Sequence, residues 1–254
     1  MPTLVALARS AVAGVLFFGV LMGAAVGSVL LNARLAPGLP LFPLAVVLVV
    51  AGGTRWLDRR VPLGLTSGVL PPARNWLLSL AVATLGVGAC IVQGALAGMV
   101  RQPEPGPPGT GPAFQLAYAV TLSAAPAVLA EVVFRGYLQA RWTPLIGPWP
   151  AIIGIAALNT AAHRWGPELA DQWLGYFVAL AALGWLRQAS GSLWPALGTH
   201  LIANVLLALA LWRYGPFDQG KLEGLPLIAI GLLTLGAAAA AVALSRPGRQ
   251  QPAR

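Results

Sequence analysis

Residues 113–139 read AFQLAYAVTLSAAPAVLAEVVFRGYLQ, an apolar run broken by one acid, Glu131, and one base, Arg135. The run is long enough to cross a bilayer as a helix, which takes about 17–25 mostly apolar residues. It lacks the apolar–polar alternation of a barrel strand, so it reads as a helix. An ionisable group inside a bilayer costs roughly 2.5–3.5 kcal/mol on the insertion scale, which makes each one a candidate functional residue. Glu131 and Arg135 stand four positions apart and therefore share a helical face.

The same step recurs in two later apolar runs. Residues 155–163, IAALNTAAH, carry Asn159 and His163, and residues 193–207, LWPALGTHLIANVLL, carry His200 and Asn204. His163 and His200 are the only histidines of the chain. Three polar pairs on three apolar helices point to one buried polar site.

Composition agrees with a membrane protein. The 254 residues are 57% hydrophobic and 9% charged, with a mean hydropathy of +0.76. A soluble domain carries about a quarter charged residues. The net charge of +9 does not mark a nucleic-acid binder, because the basic residues sit singly near helix ends and form no patch interleaved with aromatics. The lone Cys90 excludes an intrachain disulfide and a multi-cysteine metal site. The apolar run from Ala11 to Leu31 is too long for the apolar part of a cleaved leader.

Eight spans are expected, at 8–31, 39–57, 75–99, 113–139, 147–163, 170–187, 193–213 and 224–244, the fifth and sixth short and tilted or incomplete. The fold class is thus all-α, a polytopic membrane bundle of about eight transmembrane helices. Its expected divisions are three N-terminal helices over 1–100, a Pro/Gly linker over 101–112 and a core over 113–213. A last helix over 214–244 and a polar tail over 245–254 complete the chain. Arg9, Arg55, Arg59, Arg60, Arg74, Arg141, Arg187, Arg246, Arg249 and Arg254 fall on the side shared by both termini. Arg34, Arg101, Arg164, Arg213 and Lys221 fall on the other. This bias places both termini in the cytoplasm, and helical spans place the protein in a plasma (inner) membrane.

Each pair has a structural and a functional reading. Glu131 and Arg135 are an ion pair locking helices together, or they face a reaction centre. Gly136 beside them would let another helix approach closely. Asn159 and His163, like His200 and Asn204, are interhelical hydrogen-bonding residues, or they serve chemistry. His200 and Asn204 together could hold a developing oxyanion. Glu131, His163 and His200 would also make a His₂Glu set with an open fourth position, the donor set of a catalytic zinc site, drawn from three helices and without an HExxH motif.

The run AEVVFRGYL at 130–138, a histidine in a second helix and HLIAN at 200–204 in a third resemble the CAAX protease and bacteriocin-processing (CPBP, or Abi) family of intramembrane endopeptidases. The resemblance covers roughly 113–213. It rests on three motifs, Glu-Glu-x-x-x-Arg, Phe-x-x-x-His and His-x-x-x-Asn, in the family's order. It implies an eight-helix membrane bundle that hydrolyses peptide bonds near the membrane, as CAAX prenyl protease 2 and lysostaphin resistance protein A-like members do. It also implies a water activated by the first glutamate with the second-motif histidine, His163, and an oxyanion bound by His200 and Asn204.

Two positions depart from the pattern. The family's first glutamate falls on Ala130, its second on Glu131 and its arginine on Arg135, while Asn159 stands where the family has Phe. Alanine accepts no proton, and adjacent helix positions point about 100° apart, so Glu131 does not simply replace it. Three readings follow. The first is an endopeptidase with a rearranged base, Glu131 or His163. The second is a non-catalytic relative that binds a peptide or membrane partner for immunity or assembly. The third is a transporter-like or structural bundle, against which stands the lack of an internal repeat.

Overall fold

The computed structural model describes residues 2–35, 41–59, 63–65, 68–103, 110–162 and 167–246. Its helices are α1 (Pro2–Leu35), α2 (Leu41–Asp58), α3 (Pro72–Leu96), α4 (Pro112–Ala130), α5 (Ala140–Ile146), α6 (Pro148–Ala161), α7 (Pro167–Ser190), α8 (Leu193–Tyr214) and α9 (Leu225–Ser245). A π-helical segment, Glu131–Gln139, joins α4 to α5, so 112–146 forms one continuous rod. Among the described residues eight rods result, and five of them are long and apolar enough to cross a membrane. The protein is an all-α, multi-pass membrane bundle.

Helix boundaries follow backbone chemistry. Proline opens α3, α4 and α6, at the position where its missing N–H is an orphan in any helix. The fourth rod runs on past 139 to Ile146 because nothing before Gly147 stops it. Gly147 then adopts φ +85° and turns the chain into α6, a conformation open mainly to glycine. Gly191, at φ +69°, ends α7 in the same way. Ser192 caps α8, its hydroxyl accepting from the Trp194 N–H at 3.3 Å. The fifth rod, α6, has 14 residues and so spans only about 21 Å, less than the roughly 30 Å of hydrocarbon. The sixth, α7, has 24 residues.

Packing divides the rods into two sets. One set joins α3 to α7, α8 and α9 through Leu78, Val82, Leu180, Leu183, Leu186 and Ala241. The other joins α1 to α2, α4, α5 and the π segment, with Phe18, Val133, Phe134, Leu138 and Ile155 at its centre. Contact of α4 with α8, and of α6 with α7, ties the sets together. Small residues permit the closest approaches. A β-carbon on Gly175 would stand 2.8 Å from Cys90 Cα, so α7 lies directly on the α3 backbone.

One feature had no signal in the sequence. Val100–Arg101 (β1) pairs antiparallel with Phe217–Asp218 (β2), Val100 opposite Asp218 and Arg101 opposite Phe217. This two-rung ladder clasps the end of α3 to the end of α8. It is reinforced by a Gln219 N–H bond to Met99 O at 2.8 Å. Gln172 Nε2 donates to Gln219 Oε1 at 3.1 Å, and Arg101 donates to Gln172 Oε1.

Candidate active site

The π segment presents Glu131, Arg135 and Gln139 at four-residue steps, all three fully buried. A π turn inside an α-helical rod is rare and is found mostly at functional sites. Glu131 Oε1 lies 3.3 Å from Arg135 Nη1 and 2.8 Å from His200 Nδ1. Arg135 Nη2 donates to Leu180 O on α7 at 2.7 Å, and Gln139 Nε2 donates to Gly184 O on the same helix at 2.8 Å. Those two carbonyls thus receive side-chain donors from the π segment, which holds α7 against it. Gln139 was not singled out in the sequence, although it continues the step of 131 and 135.

Gly136 lies within this segment. A β-carbon there would meet Leu63 Cδ2 at 3.1 Å and Leu193 Cδ2 at 3.2 Å, so the start of α8 seats against it. That seating brings α8 close enough for His200 to reach Glu131. One turn further along α8, Asn204 Nδ2 donates to Ser123 O on α4 at 3.1 Å.

Between the two sets of helices lies a cavity of about 1960 Å³. Its wall is mostly apolar, and it includes Ala130, Thr199, His200 and Asn204. Trp76, Leu80 and Leu206 line it while remaining largely exposed, so it opens on the apolar flank of the bundle. Ala130 faces the cavity. Glu131, the next residue, is turned off it and fully buried. His200 is 13% exposed, one edge on Glu131 and the ring bordering the cavity. Thr199 is 8% exposed, and its Oγ1 has no hydrogen-bond partner among the described residues.

The structure therefore brings Glu131, Arg135 and His200 into one contact chain and sets Asn204 one turn from His200 on the same wall. Asn159 is buried on α6, whose apolar side packs on the π segment. His163 lies outside the described residues, just beyond the end of α6 at Ala161. Among the described residues no group of three His, Cys, Asp or Glu side chains could hold a metal ion. The two described members of the His₂Glu set face each other, and a divalent cation at Glu131 Oε1 would meet the Arg135 guanidinium. The third member of that set, His163, lies outside the described residues.

Residues 112–206 match the family model described as Rce1-like, type II CAAX prenyl endopeptidase Rce1-like. Neither the curated proteins nor the solved structures contain a match to the chain. The matched stretch holds α4, the π segment, α5, α6, α7 and most of α8, and with them Glu131, Arg135, His200 and Asn204. Residues 112–206 are thus similar to the CAAX prenyl endopeptidase family.

Proposed function

We propose that the protein is an intramembrane endopeptidase that hydrolyses peptide bonds of membrane-tethered peptides at the wall carrying His200 and Asn204. The observation that carries this reading is the placement of those two side chains on a large apolar cavity opening at the flank of the bundle. A substrate anchored in the bilayer would enter from that side without leaving hydrocarbon. Asn204 uses one Nδ2 hydrogen on Ser123 O and keeps a second for a carbonyl oxygen that gains charge. Arg135 and Glu131 fix the helices that carry the site. His163 completes the family's set by its motif position. The peptide or membrane-protein substrate is met in a plasma (inner) membrane, with both termini cytoplasmic.

A second reading has its own observation. Ala130 faces the cavity where the family has a glutamate. Loss of a general base lowers turnover by about 10²–10⁴-fold. A non-catalytic relative would keep the cavity and bind a peptide or partner helix there.

The purified protein is assayed on membrane-tethered and CAAX-type peptides beside Ala130→Glu, His163→Ala and His200→Ala. Wild-type cleavage that either histidine variant abolishes supports the endopeptidase. No wild-type cleavage, with activity gained in Ala130→Glu, supports the silenced relative. If correctly folded wild type and Ala130→Glu are both inert on the whole panel, the hydrolytic reading is overturned.

A further inference from the structure

The contact between His200 and Glu131 decides which ring nitrogen carries a proton. Glu131 Oε1 also forms an ion pair with Arg135 Nη1 at 3.3 Å. An ionised carboxylate only accepts hydrogen bonds, so at 2.8 Å the His200 Nδ1–H is the donor. In the neutral ring Nε2 is then bare, a proton acceptor. Nε2 has no hydrogen-bond partner among the described residues, and His200 lines the cavity. A carboxylate behind Nδ1 fixes both tautomer and ring orientation, the arrangement that makes a histidine a general base.

Resting on the hydrolytic reading above, we propose that His200, oriented by Glu131, is the general base of this chain, in place of the carboxylate missing at Ala130. Glu131 is a positioning residue and touches no reacting atom. A water oxygen adds to the scissile carbonyl carbon while its proton passes to His200 Nε2. The carbon–nitrogen bond then breaks, and the same proton goes to the leaving nitrogen, yielding a carboxylic acid and an amine. Asn204 supplies the donor to the oxyanion.

Two measurements test this. The first reads the tautomer by ¹⁵N chemical shifts of histidine-labelled protein, assigned with His163→Ala, which leaves His200 as the single histidine. The neutral ring is expected to carry its proton on Nδ1. The second compares His200→Gln with His200→Ala. Glutamine keeps an N–H donor but is no base, so both are expected to lose about 10²–10⁴-fold in turnover. A proton on Nε2 of neutral His200, or a His200→Gln variant within about tenfold of wild type, overturns the base assignment alone. A folded wild type that cleaves nothing, yet shows the Nδ1–H tautomer, overturns the hydrolytic reading and the base role together, leaving the Glu131–His200 geometry standing.

Discussion

Arg135 is the largest fully buried side chain among the described residues, and it answers to two groups, Glu131 and Leu180 O. Removing one partner of a buried ion pair strands the other charge, at about 3–5 kcal/mol. Arg135→Met is therefore expected to lower the unfolding midpoint in detergent sharply. The double variant Glu131→Gln with Arg135→Met should be less destabilised, and a thermal-melt cycle of the three proteins checks it. Thr199→Val keeps side-chain shape and removes the unpartnered hydroxyl. Its Oγ1 is sealed from the cavity, so the variant is expected to keep the melt within about 1 kcal/mol of wild type and to leave turnover in the same cleavage assay unchanged. At this scale the sequence was half legible. The steps 131–135 and 200–204 were visible because a helix puts four-apart residues on one face. The bond from His200 to Glu131 was not, since nothing in a linear spacing says which two helices meet. Nor did composition mark Gln139, an uncharged residue whose role comes only from the α7 carbonyl above it.

Helix contacts depend on a few glycines, and they differ in consequence. Gly175→Ala would press a methyl into the Cys90 backbone, and Gly136→Val would press one between Leu63 and Leu193. Each is expected to destabilise by about 1–3 kcal/mol. Gly231 on α9 has nothing within 4 Å, so Gly231→Ala should be neutral or gain up to about 1 kcal/mol of helix propensity. Comparing the three melts separates close approach from intrinsic helicity. The rods themselves were readable because a bilayer dictates their length. Their joints were less so. The fourth rod passes its expected end at 139, since Ala140, Arg141 and Trp142 continue the helix and only Gly147 breaks it. The clasp of Val100–Arg101 on Phe217–Asp218 is too short for any periodicity to announce.

At the scale of the whole molecule, five rods among the described residues are long and apolar enough to cross a membrane, and eight crossings would return the chain to the side on which it began. Topology reporters fused at either end are expected to give the same signal, cytoplasmic by the arginine bias; opposite signals would remove one rod from the membrane. Synthesis order adds a consequence of the buried chain of charges. The partner of Arg135 at Leu180 is made 45 residues later, and the partner of Glu131 at His200 comes 69 residues later. At about 5–20 residues per second, the fourth rod waits roughly 3–14 seconds before α8 exists to receive it. During that interval Glu131 has a single neutralising group, and it sits on the same rod, four residues away. The ion pair of the finished site thus also lets its own helix meet the bilayer with its one acid already matched, ahead of the helices that will give it work.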